Sequence, residues 1–289
     1  MLVADFTVTV GPGLIFKVNN VQSATLSLVR GTSYSFDLLA VSGAHPFVIN
    51  SNAGNAGGTL YAGPASGTTI TFTPDATTPN TIYYHCQVHF TTMFGTINVS
   101  DPVPNLAVKT FLEGPYNSGT QLMSDALRAA GLIPTVEPFT GLGYTFNGGG
   151  GETTTAPVLA VTGNNAVVDW VVLELRDEFD PTAIVYSRAA LITRSGSLRD
   201  VNGVNNPALS IADGNYHVAV RHRNHLGIMT DAPVSISSTL TTVDFSLPAT
   251  ATFGINAMKN IAGVMVMFAG DATFNGQVKY TGAGNERDP

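Results

Sequence analysis

Thr81-Ile-Tyr-Tyr-His-Cys-Gln-Val-His-Phe-Thr-Thr-Met-Phe-Gly-Thr-Ile-Asn-Val99 holds the single cysteine of the chain, Cys86, with His89 and Met93 following it. Residues Thr81 to Cys86 are β-branched and aromatic, which predicts a strand. Alternate strand side chains share a face, so Ile82, Tyr84 and Cys86 point into a sandwich while Tyr83, His85 and Gln87 point away. Cys86 ends the strand, and a short turn from Gln87 to Thr92 folds His89 and Met93 back towards it before Gly95-Thr-Ile-Asn-Val99 resumes as the next strand. Upstream, Gly43-Ala-His-Pro-Phe-Val-Ile49 supplies His45, which must reach the same point from a neighbouring strand. One thiolate, two imidazoles and a thioether form the ligand set of a type 1 copper site, where His2Cys binds roughly trigonally and Met sits weakly on the axis. Taken singly, each residue has a plainer reading, since a lone Cys is usually a small buried hydrophobe. It is their conjunction that points to copper.

His45 together with Tyr84-x-Cys86-x2-His89-x3-Met93-x-Gly95 resembles the cupredoxins, the family of plastocyanin, amicyanin and azurin. The segment Leu26-Ser-Leu-Val-Arg-Gly-Thr-Ser-Tyr-Ser-Phe-Asp37 is similar to the strand, turn and strand before the first histidine in small secreted modules of that kind. The resemblance covers about the first hundred residues. It implies a Greek-key β-sandwich, one type 1 copper held by His45, Cys86, His89 and Met93, and one-electron transfer to a redox partner protein. The turn lacks the proline often found in the family. His85 beside Cys86 also resembles copper nitrite reductases, in which that histidine holds a second copper at a subunit interface, but position 50 is Asn where that family needs a further His.

The remaining composition narrows the function classes. Charged residues make up 11% of the chain, Gly accounts for 30 residues, and the formal net charge is −7. A chain this acidic without a Lys/Arg cluster excludes nucleic acid and anionic membrane surfaces as natural partners. No apolar run approaches the roughly 18 residues of a membrane span. Neutral polar faces suit an extracellular or cell-surface β-protein, with the periplasm as the other expected location. Neither a P-loop nor a dinucleotide fingerprint is present.

Short apolar alternations bounded by Gly, Pro and Asn run through residues 1–100, and they predict seven or eight strands of a sandwich or barrel. Asp101-Pro-Val-Pro-Asn105 reads as a stiff linker, and residues 106–289 as a second β-sandwich-like domain with one short helix over Thr120 to Ala130. Strands are expected at Leu106 to Leu112, Pro157 to Val161, Ala166 to Arg176, Thr182 to Thr193, Tyr216 to Arg223 and Thr242 to Leu247. Phe111-Leu-Glu-Gly-Pro-Tyr116, Trp170 to Arg176, Val220 to Gly227 and the stretch from Ala269 to Gly282 together resemble a module of large secreted bacterial surface proteins. That resemblance implies a setting and no chemistry.

Two further clusters bear on metals. His217 and His222 fall on opposite strand faces, so with His225 they read as structural, with Arg221, Arg223 and Asn224 tied into turns or carboxylates. Asp271, Thr273, Asn275 and Gln277 follow the first half of a calcium loop, but Gly282 stands where the bidentate Glu belongs. The leading expectation is an electron carrier and not an enzyme. The alternative is a structural or adhesive surface protein that keeps the sandwich as scaffold or copper store and self-assembles through neutral β surfaces, and a nitrite reductase-like enzyme comes last.

Overall fold

The computed structural model describes residues 5–53, 58–271 and 277–278. The chain divides into two compact units, Met1–Pro102 and Val103–Pro289.

The first unit is a sandwich of two five-stranded sheets. Its strands are β1 (Phe6–Gly11), β2 (Ile15–Val18), β3 (Val21–Gln22), β4 (Leu26–Val29), β5 (Tyr34–Asp37), β6 (Phe47–Asn50), β7 (Leu60–Ala65), β8 (Thr69–Phe72), β9 (Thr81–Cys86) and β10 (Phe94–Ser100). One sheet runs β3-β2-β1-β5-β8 and the other β4-β10-β9-β6-β7. The chain passes repeatedly between them, so residues distant in sequence become sheet neighbours. Burial follows the alternation of the strands: Phe16 and Val18 of β2, Leu26 and Leu28 of β4, and Ile82, Tyr84 and Cys86 of β9 are buried in one cluster. At its centre the Phe47 ring lies 5.4 Å from Phe16, 5.6 Å from Phe36 and 5.7 Å from Tyr84, centroid to centroid. Offset and edge-on arrangements at these spacings add about 0.5–1.5 kcal/mol per pair beyond area burial.

The second unit is built on a six-stranded sheet whose longest strand is Val167–Asp177, paired antiparallel with Ile184–Thr193 and with Gly214–His222. Val171, Leu173 and Leu175 enter one core with Val218, Val220 and Phe245, while Trp170 and Val172 enter another with Phe139 and Leu191. Both faces of the strand are therefore covered, which is why Val167 to Leu175 is nearly continuous in apolar residues.

Two local expectations are corrected. The helix expected over Thr120 to Ala130 shrinks to Ala126–Ala129, because Leu122–Met123 instead pairs antiparallel with Tyr116–Asn117. Gln121 has a φ of 56°, a left-handed conformation that no continuous helix admits. The strand expected at Pro157 to Val161 is a helical turn, Ala156–Leu159. Proline in a first turn loses no helical hydrogen bond and already holds a helical φ. The described residues thus hold two short α-helices where one was expected.

Candidate metal centre

The site is assembled by the edges of three elements. Cys86 is the last residue of β9, and Phe47 of β6 lies directly across from it. That pairing brings the turn preceding β6, with His45, beside the end of β9. The Gln87 N–H donates to the Pro46 carbonyl at 2.8 Å and continues the pairing one residue past the strand.

The loop from Cys86 to Met93 is closed by its own backbone. Cys86 N–H donates to the Met93 carbonyl at 2.9 Å, while the N–H groups of Thr92 and Met93 donate to the His89 carbonyl at 3.2 and 2.9 Å. The His89 N–H points at the Cys86 sulfur at 3.4 Å. Such N–H donation stabilises negative charge on a thiolate. The loop therefore holds His89 without help from a ligand.

The donor atoms converge. Nδ1 of His45 and Nδ1 of His89 are 3.1 Å apart, and the Cys86 sulfur lies 3.9 Å from the first and 3.6 Å from the second. With metal bonds of about 2.0 Å to nitrogen and 2.3 Å to sulfur, these spacings subtend angles that sum to about 345°, close to a flat trigonal arrangement. The residues therefore fit a His2Cys metal site. Cys86 and Met93 are fully buried and the two imidazoles are half-buried. Met93 lies in the same buried cluster as Cys86. Among the described residues, His45, Cys86 and His89 form the one group of three or more His, Cys, Asp or Glu side chains close enough to share an ion.

His85 stands apart from this group. It is fully buried within the chain. Its Nδ1–H donates to the Cys86 carbonyl at 3.1 Å, and Nε2 has no hydrogen-bond partner. Burial lowers its pKa from the ordinary histidine value. Of the calcium-type stretch, Thr273 and Asn275 lie outside the described residues, and Asp271 is buried.

The spacing of residues 81–99 gave no sign of one support. At Gly95, the residue opposite Tyr84, an added Cβ would come within 2.2 Å of the Tyr84 ring. Tyr84 in turn donates its hydroxyl to the Ala24 carbonyl at 2.8 Å. The glycine of the motif is required by this crossing ring, a contact made across the sheet.

No protein-family model matches the chain, and no curated protein does. Among solved structures the chain is similar to rusticyanin. A structure of the copper protein rusticyanin is 26% identical, covering 33% of this chain and 76% of that one with a TM-score of 0.27. Reduced rusticyanin is 24% identical over 33% and 77%, with a TM-score of 0.24. Rusticyanin from Thiobacillus ferrooxidans is 23% identical over 33% and 75%, with a TM-score of 0.23. TM-scores this low carry no weight, so the donor atoms themselves bear the reading of the site.

Proposed function

We propose that the first unit is a type 1 copper protein that passes single electrons. The observation that supports this reading most is the triangle of one sulfur and two Nδ1 atoms. Copper bound there supplies a Cu(II)/Cu(I) couple. The chain's own contribution is to fix the donors before metal arrives: backbone bonds across Cys86, His89 and Met93 leave little to rearrange between oxidation states. Burial of Cys86 and Met93 keeps bulk water off the sulfur donors.

The half-buried His89 ring is the route for the electron, and the exposed Val88 and Phe94 near it offer a redox partner an apolar surface. An oxidised partner takes the electron and a reduced one returns it, with no bond made or broken in the protein. The sparse charge and abundant neutral polar residues favour an extracellular, cell-surface or periplasmic setting.

Voltammetry of the copper-loaded full chain tests the proposal. A reversible one-electron wave at one copper per chain is expected, absent from Cys86→Ser. Copper that binds but shows no reversible wave would favour the storage reading over electron transfer.

A further inference from the structure

One face of the large sheet in the second unit gathers two arginines around a single carboxylate. Glu174 of the strand Val167–Asp177 lies across from Ala219 of Gly214–His222, and Ala219 lies across from Met229 of His225–Met229. Residues two apart on a strand share a face, so Arg176 and Arg221 stand on that same side. Glu174 is fully buried there. Arg176 donates to its Oε2 from Nε at 2.9 Å and from Nη2 at 2.6 Å. Nη1 of Arg221 is 3.7 Å from Oε1, and its guanidinium lies over the Tyr144 ring, 5.7 Å from the centroid. Tyr144 donates its hydroxyl to Oε1 at 2.7 Å. Burial first and the Glu174 charge second raise the Tyr144 pKa, so the phenol is neutral. Two positive charges are thus matched by one negative charge.

Both arginines line a cavity of about 350 Å³, and each keeps 22% of its side-chain surface exposed. Their positions at its wall follow from what they touch. Nη1 of Arg176 donates to the carbonyl of Pro181, itself a lining residue, at 2.9 Å. A guanidinium has five N–H donors, and these three bonds leave Arg176 one more on each terminal nitrogen. The Arg221 stem crosses Gly227, also in the wall, where an added Cβ would lie 3.4 Å from Cγ and 3.9 Å from Nε. The remaining wall is apolar and includes Leu226 and the exposed ring of Phe253. Small-molecule sites of this size pair apolar walls with a few placed polar groups.

The excess charge is not cancelled at the pocket. None of its lining residues is acidic. On the adjoining loop, Oδ1 of Asp177 accepts the N–H groups of Phe179 and Asp180, and Oδ1 of Asp180 accepts that of Thr182. Glu178 and Asp231 do not line the pocket, and Asp169 is bonded by Arg223 and His222. Charge-assisted bonds from a planar guanidinium suit a carboxylate in particular. A single excess positive charge matches a monoanion, whereas a dianion would leave the half-buried site negative.

We propose that this pocket binds a small monocarboxylate with an apolar body, its carboxylate held by Arg176 and Arg221 and its body lying against Leu226 and Phe253. Glu174 and Tyr144 are positioning residues that hold the two guanidiniums together.

Benzoate, benzamide and sulfate are the probes: the second has the shape of the first without its charge, and the third has charge without an apolar body. The metal-free full chain is titrated with each at neutral pH and low salt while arginine Nε–H resonances are followed. Benzoate should give saturable shifts at Arg176 and Arg221. Benzamide should bind at least about tenfold more weakly, the equivalent of losing one charge-assisted bond, and sulfate more weakly than benzoate. Arg221→Gln should remove the preference for benzoate over benzamide, and Phe253→Ala, a change at an exposed position, should weaken benzoate several-fold. The wild-type comparison of the three probes stands even if Arg221→Gln fails to fold. Equal affinity for benzoate and benzamide, sulfate binding as tight as benzoate, benzoate binding indifferent to Phe253→Ala, or no response of the two arginines to benzoate would overturn the proposal.

Discussion

The Nδ1 atoms of His45 and His89 stand 3.1 Å apart although 44 residues separate them in sequence. Strand pairing accounts for this. Phe47 lies across from Cys86, the turn before β6 carries His45, and the loop after β9 carries His89. The metal site is therefore a property of the β6/β9 pair, and anything that loosens that pair should reach the site.

Phe47 is the first test of that dependence. It is fully buried and packs against Phe16, Phe36 and Tyr84. Phe47→Ala should destabilise the first unit by about 3–5 kcal/mol, the usual cost of emptying an aromatic core position. Circular dichroism during thermal unfolding of the metal-free chain would record it. A change below about 1 kcal/mol would show that the pair does not depend on this ring.

Gly95→Ala places a methyl group against the Tyr84 ring, which is fixed at its hydroxyl by the Ala24 carbonyl. A loss of about 1–3 kcal/mol is expected from overpacking. The double variant Gly95→Ala with Tyr84→Leu should recover part of it in the same unfolding assay. No recovery would place the cost elsewhere than in that contact.

Residues 81–99 were readable because their information is local. A β-branched and aromatic run fixes which side Cys86 faces, and the short loop keeps His89 near it. His45 could be named as a candidate, but the β6/β9 register that brings it there depends on the whole sandwich. The contact between Asp169 and His222 in the second unit was not readable, since the two are 53 residues apart. The strand irregularity beside His222 also defeats simple face counting. The misread helix at Thr120 to Ala130 fails for a different reason. Its apolar spacing fits a helix by coincidence, while Ser124 and Asp125 mark a helix start and leave Leu122–Met123 to a small hairpin. Where a strand was expected at Pro157 to Val161, Pro157 instead sits in the first turn of the helix Ala156–Leu159, a position that suits proline.

Acid should weaken the second unit before any carboxylate is protonated. The His225 pKa is lowered from 6.5 to about 3 by burial first and by the neighbouring His222 second. Between those values the unfolded chain binds a proton that the folded chain refuses, so stability falls as pH falls. Each unit of separation is worth about 1.4 kcal/mol, which makes the full loss several kcal/mol. Asp169, also buried, has its pKa lowered because, against desolvation, the hydrogen bond from His222 and the nearby Arg223 guanidinium favour the carboxylate. Its contribution is present above the ordinary aspartate value and disappears as pH drops through the lower folded one. Trp170 is the single tryptophan of the chain and is buried in this unit, so its fluorescence during urea unfolding at pH 7, 5.5 and 4 reads the effect. A flat profile across this window would contradict the burial of a neutral His225.

Met93 is buried in the first core beside Cys86. Met93→Leu preserves apolar volume and removes a sulfur donor. A weak axial donor favours the more positive oxidation state, so its loss should raise the reduction potential of the copper-loaded protein while the blue colour persists. Voltammetry of the two proteins compares them directly. A potential unchanged by the substitution would remove Met93 from the ligand set.

The central claim is that Cys86 sulfur and the two Nδ1 atoms bind copper as a type 1 site. Addition of one equivalent of Cu(II) to the metal-free chain, followed by visible absorption and electron spin resonance, tests it most directly. An intense blue band from thiolate-to-copper charge transfer with narrow hyperfine splitting is expected, both lost in Cys86→Ser. A colourless complex with the wide splitting of ordinary Cu(II), or a spectrum indifferent to Cys86, would contradict it.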